Sequence, residues 1–219
     1  MIEAVLFDLD GTLLNTLDDL ADSGNHVMSL SGWPTHETDA YKYFVGDGVV
    51  NLVTRIMPES ARSPDEIERV RKAFVEHYQA HAVDKTRPYD GVTDMLGAIA
   101  KAGVKMAVVS NKPDAQTQYT VSQFFGSNRF DFAVGNRQGL KLKPAPDIAV
   151  LALNELGVSP DRTLFVGDTG VDMRTAKNAA CIAVGVTWGF RTKEELLENG
   201  ADHIIDSPGE LAALLNGPH

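Results

Sequence analysis

Four short clusters carry the side chains best suited to chemistry: Asp8 with Asp10, Ser110 with Asn111, Lys141 with Lys143, and Asp168 with Asp172. Residues i and i+2 of an extended segment project to the same side, so Asp8 and Asp10 can face one small target. Two carboxylates that close repel each other. A hard divalent cation such as Mg²⁺ relieves that repulsion, and carboxylates grouped with a hydroxyl and a lysine suit a cation beside a phosphate. In that setting Asp8 stays ionised and nucleophilic, while Asp10, turned from the metal, keeps a proton to donate. Gly11 allows a sharp turn where a side chain would obstruct the approach.

The elements that must hold these clusters can be read from apolar runs. Residues 2–9 form a branched apolar run bounded by Asp10-Gly11, as expected of a fully buried strand. Similar runs recur at 104–110, 130–134, 163–166, 182–188 and 203–206. Helical segments are expected between them at 92–101, 115–125, 147–156 and 171–180, several closed by glycine. This alternation predicts an α/β fold, a doubly wound, mostly parallel sheet covered by helices on both faces. In such sheets the ligand crevice lies beyond the carboxyl ends of the strands, where the polar clusters fall. Residues 15–82 interrupt the pattern. Segments 17–30, 49–57 and 65–81 have apolar residues at helical spacing and no convincing strand, so a helical cap is expected at 15–82 within a core of 1–14 and 83–219.

On these residues the chain resembles the haloacid dehalogenase superfamily of phosphohydrolases. Asp8-Leu-Asp10-Gly11-Thr12 is similar to its first motif, Ser110 to its second, Lys143 before Pro144 to its third, and Gly167-Asp168 with Asp172 to its fourth. The resemblance implies that Asp8 attacks phosphorus and becomes an aspartyl phosphate, while Asp10 protonates the leaving group and later activates water. It implies Mg²⁺ held by Asp8, the Asp10 backbone carbonyl and Asp168, supported by Asp172. Ser110 and the Asn111 amide would contact the phosphoryl oxygens, and Lys143 would neutralise charge. Taken singly, Asp168, Asp172 or Ser110 could be no more than helix-capping residues. The segment holding Gly46, Gly48 and Arg55 resembles that of phosphoglycolate phosphatases, which implies a cap that presents N–H groups and an arginine to a small carboxylated phosphoester. Ala180 departs from that family, which carries Gly there, a change expected to affect packing. A phosphosugar mutase like β-phosphoglucomutase is the rival reading within the superfamily. A phospho-accepting receiver module is the rival outside it, and its phosphorylated Asp ends a later strand.

Composition narrows the partners. With 20 basic and 30 acidic residues among 219, the net charge is −10, which argues against nucleic acid or an anionic membrane and for a small phosphorylated metabolite. A single cysteine, Cys181, forms no intrachain disulfide, and the acidic start of the chain does not resemble a signal peptide, so a cytoplasmic monomer or homodimer is expected. His77 and His81 stand at i, i+4 as zinc ligands can, but no third ligand is evident, and a solvated helix face is expected.

Overall fold

The computed structural model describes Met1 to Leu215. The chain divides into two compact units, Met1–Asn15 together with Pro88 onward, and Thr16–Arg87. The first unit is built on six strands: β1 (Ala4–Phe7), β2 (Lys105–Pro113), β3 (Phe132–Asn136), β4 (Thr163–Gly167), β5 (Ile182–Val186) and β6 (His203–Ile205). They lie in the order β3-β2-β1-β4-β5-β6, every neighbouring pair parallel. The strand order reverses at β1, and a doubly wound sheet opens its ligand crevice at that point.

Alternation along β1 builds the core. Val5 and Phe7 join one apolar cluster while Ala4 and Leu6 join the other, so each face of the sheet carries its own layer. Helices α1 (Leu17–Leu30), α2 (Val49–Ile56) and α3 (Pro64–His81) belong to the second unit. The first unit holds α4 (Val92–Lys101), α5 (Asp114–Phe125), α6 (Asp147–Leu156), α7 (Gly170–Asn178) and α8 (Lys193–Glu198). Val92, Leu96 and Ile99 of α4 cover the Val5–Phe7 face, and Ile148, Ala152 and Leu156 of α6 with Met173 and Ala176 of α7 cover the other. Each fully buried Leu or Phe here contributes about 1.5–3 kcal/mol relative to exposure. No helix among the described residues is long and apolar enough to cross a membrane.

Of the boundaries that differ from the sequence reading, two have a clear local reason. Strand β2 was expected to end at Ser110, but it continues to Pro113 after a shift in register between Val109 and Pro113, which carries Ser110, Asn111 and Lys112 along the sheet's carboxyl edge. Helix α7 stops at Asn178 in a left-handed turn. The Cys181 N–H donates to the Ala176 carbonyl (2.8 Å) and the Ala180 N–H to the Lys177 carbonyl (3.1 Å). These are the two bonds of a Schellman cap, and they put Ala180 at φ 57°. Ala180 is exposed, so its departure from the glycine of similar sequences strains the backbone rather than the packing.

Ala180→Gly should therefore raise stability by a few tenths to about 1 kcal/mol, since relief of the left-handed strain exceeds the extra freedom glycine gives the unfolded chain. Thermal unfolding checks this: the midpoint should rise by roughly 1–3 °C. An unchanged or lower midpoint would count against it.

Candidate active site

The register of the central strand assembles the site. Phe7 is level with Val108 of β2 and Val166 of β4, so one step onward Asp8 is level with Val109 and Gly167, and Ser110 and Asp168 stand one residue beyond. The Asp8 N–H donates to the Val166 carbonyl (2.9 Å), anchoring the end of β1. The chain then turns back, with the Leu13 and Leu14 N–H groups both donating to the Leu9 carbonyl (3.1 and 3.0 Å). Gly11 sits in this turn at φ 89°, and a Cβ there would run into the Asp168 carboxylate.

Lys143 is the buried cation beside the nucleophile candidate Asp8. Its Nζ lies 2.8 Å from Asp8 Oδ1 and 2.7 Å from Asp172 Oδ1, and it donates to the Val109 carbonyl at 3.3 Å. The segment bearing it is pinned by Asn111, whose Oδ1 accepts from the Lys143 N–H (2.8 Å) and whose Nδ2 donates to the Lys143 carbonyl (3.2 Å). Asp172 has two tasks on its two oxygens. Oδ1 holds Lys143, while Oδ2 accepts from the Thr169 N–H (3.1 Å) and hydroxyl (2.7 Å) as half of a capping box that opens α7. The capping role and the site role thus coexist. Ser110 does not cap the following helix, whose N-cap is Pro113; its Oγ accepts from the Lys112 N–H at 3.2 Å.

Asp168 is fully buried, accepting from the Thr12 hydroxyl at Oδ1 (2.9 Å) and the Phe190 N–H at Oδ2 (2.8 Å). Among the described residues, Asp8, Asp168 and Asp172 are the one group of acids and histidines able to hold a metal ion, with ligand atoms all within 4.8 Å of one another. Burial is the largest influence pushing Asp8 up, to about 7, against the pull of Lys143 and with further repulsion from Asp172 and Asp10. Asp168 is likewise raised well above the usual carboxylate range by burial, then by Asp172 and Asp8. Burial works against the Lys143 charge, but Asp172 and Asp8 outweigh it and hold the ammonium more firmly than usual. One lysine among three buried acids leaves negative charge uncompensated, and hard oxygen donors of this kind fit Mg²⁺.

Sequence reasoning assigned no role to Lys112. Its Nζ lies 2.9 Å from Asp10 Oδ1 and 3.0 Å from Oδ2, an ion pair with side chains only 4% and 13% exposed. The signal was present, because Lys112 lies two residues past Ser110 in an extended segment and therefore on the same side.

The cap residues lie in the second unit. Gly46 and Gly48 have φ of 119° and 89°, and Gly48 precedes α2. Arg55 is committed within that segment, paired with Asp47 and donating to the Phe44 carbonyl at 3.1 Å. His77 and His81 are joined by His26, stacked on His77 with centroids 4.0 Å apart. The three rings stack rather than converge, so they do not form a metal-holding group.

The sequence model of haloacid dehalogenase-like hydrolases matches residues 5–186, and the chain belongs to that family. It is 33% identical over 98% of its length to 95% of an N-acetylmuramic acid 6-phosphate phosphatase from Pseudomonas aeruginosa. It is 31% identical, over 98% of this chain and 96% of the relative, to a phosphoglycolate phosphatase from Chromobacterium violaceum. The crystal structure of a candidate phosphoglycolate phosphatase from Lactobacillus delbrueckii subsp. bulgaricus matches with a TM-score of 0.93 at 33% identity, covering 99% of both chains. The chain is a phosphoric monoester hydrolase of this family.

Metal binding should depend on pH in a definite sense. The free Asp8 keeps its proton up to about pH 7, whereas an unfolded Asp loses it near 4, so this group favours the metal-free fold at low pH and ceases to do so as pH rises through 7. A cation binds the ionised carboxylates and must displace protons below that range. The rise in thermal midpoint on adding Mg²⁺ to EDTA-treated protein should accordingly be larger at pH 8 than at pH 6. Equal shifts at the two values would contradict the assignment.

Proposed function

We propose that the protein hydrolyses small phosphate monoesters in two steps through an aspartyl phosphate on Asp8, with phosphoglycolate as the leading substrate. The observation that carries this reading is the placing of Asp8 at the end of the central strand, bridged by Lys143 to Asp172, with Asp10 two residues on. An Asp8 oxygen bonds to phosphorus as the bond to the ester oxygen breaks, and Asp10 gives its proton to that oxygen. Water then bonds to phosphorus, Asp10 takes the water's proton, and the bond to Asp8 breaks. Lys143 offsets the charge of the carboxylate and the phosphate as they meet. The Ser110 hydroxyl and the Asn111 backbone N–H bind the phosphoryl oxygens, since the Asn111 side chain is spent on the Lys143 segment. Mg²⁺, held by Asp8, the Asp10 carbonyl and Asp168 with Asp172 in support, supplies the remaining positive charge when bound.

Phosphoglycolate leads because several curated relatives are named for it and because the Gly46–Arg55 segment resembles theirs. A phosphorylated sugar acid is the second reading, favoured by the Pseudomonas aeruginosa relative. In the second unit Gly46 and Gly48 shape the segment that would choose between them, with Arg55 as its brace.

Asp8→Asn should lower kcat by at least about a thousandfold while the protein stays folded, because the nucleophile is removed but the buried repulsion is relieved. EDTA should abolish phosphate release and Mg²⁺ restore it. In single-turnover measurements of the phosphorylation of Asp8, Asp10→Ala should cost roughly 10²–10⁴-fold with an alkyl leaving group and far less with p-nitrophenyl phosphate, whose leaving group needs no proton, while hydrolysis of the intermediate slows equally for both. A release screen over phosphoglycolate, N-acetylmuramic acid 6-phosphate and simple sugar phosphates ranks the substrates. Bisphosphate-dependent isomerisation of a sugar phosphate with little phosphate release would overturn the hydrolase reading in favour of a mutase.

A further inference from the structure

The two buried lysines of the site sit on different sides of its chemistry. Lys143 is gripped between Asp8 and Asp172, on the side of the nucleophile. Lys112 lies against both oxygens of Asp10, the group assigned to the leaving oxygen. Its backbone is fixed as well, because its N–H donates to Ser110 Oγ at 3.2 Å and its carbonyl accepts from the Thr117 hydroxyl at 3.3 Å. A cation placed there is not needed to hold the phosphoryl group, which Lys143 and the strand-end donors already serve. With Asp10 assigned to the leaving oxygen, the rest of the substrate would lie beside it.

Distances limit what that remainder can be. With Asp10 within hydrogen-bond reach of the ester oxygen, about 2.7 Å, and Lys112 Nζ a further 2.9–3.0 Å from Asp10, the ammonium comes within roughly 5–6 Å of the ester oxygen. A carboxylate on the carbon that bears the ester oxygen extends about 3 Å from that oxygen, so when turned toward Lys112 it can come within hydrogen-bond distance of Nζ. A neutral hydroxyl in its place gains much less from a buried ammonium, and an acid several bonds further away does not reach it.

We propose that Lys112 is a specificity residue that binds a carboxylate on the leaving-group side, selecting phosphate esters of 2-hydroxy acids. This rests on the assignment of Asp10 to the leaving oxygen in the preceding section and moves the reading of the carboxylate from the cap to the sheet. Both cations already have an anionic partner, Asp47 for Arg55 and Asp10 for Lys112, but only the partner of Lys112 is a group assigned to the reacting ester.

The test compares phosphoglycolate, its neutral counterpart 2-hydroxyethyl phosphate, and p-nitrophenyl phosphate on the full-length protein, Lys112→Met and Lys112→Arg, with thermal unfolding to verify folding. The unaltered protein should prefer phosphoglycolate over 2-hydroxyethyl phosphate by roughly tenfold to a hundredfold in kcat/KM, most of it in KM. Lys112→Met should reduce that preference to within about threefold, and Lys112→Arg should recover part of it. The inference is overturned if the preference survives in Lys112→Met, if the unaltered protein shows none, or if all three substrates lose the same factor, as they would if Lys112 only held Asp10 in place. Turnover of p-nitrophenyl phosphate by the unaltered protein separates those failures from failure of the hydrolase reading, in which no substrate releases phosphate and this inference falls with it.

Discussion

Four carboxylates and two ammonium groups share the carboxyl edge of one sheet, and the close pairing of unlike charges there sets the terms for everything around it. Asp8, Asp168 and Asp172 are buried together with Lys143, and Asp10 is paired with Lys112. Buried charge is costly unless paired and hydrogen-bonded, so the surrounding backbone is recruited to the task. The Phe190 N–H and the Thr12 hydroxyl bind Asp168, while Thr169 binds Asp172. What remains is a local excess of negative charge, which adds to the larger effect of burial in raising the proton affinities of Asp8 and Asp168. In a chain that is acidic overall, this edge is the place proposed to take a cation and then a phosphate.

The sheet makes this concentration of charge tolerable. Strand β1 lies between β2 and β4 with helices over both faces, so its apolar residues are wholly buried and the ends of three adjacent strands are held in register. A rigid frame of this kind keeps like charges at short range without letting them relax apart. Capping adds to it at little cost: the carboxylate that orders the first turn of α7 also orients the site lysine.

Much of this was legible in the chain. The period and content of the apolar runs gave the parallel sheet, and the motifs around Asp8, Ser110, Lys143 and Asp168 gave the phosphatase class, because residues at strand ends keep short and regular spacings. The second unit was legible as helical, with α1 at the expected 17–30 and α3 one residue from the expected 65–81. Ala180 was read as a packing change because its backbone angle is not written in its side chain; only the ending of α7 shows the strain.

Sequence alone determined the residue types, the strand-end positions and hence the class of reaction, since those depend on local order and on motifs a few residues long. Tertiary structure decided which charges meet. Lys112 reaches Asp10 across 102 positions and Lys143 reaches Asp8 and Asp172 from a separate segment, pairings set by sheet order and by the register shift in β2. Asp8 and Asp10, alike in type and two residues apart, thus acquire different partners, because each faces a different neighbour once the strands are laid side by side.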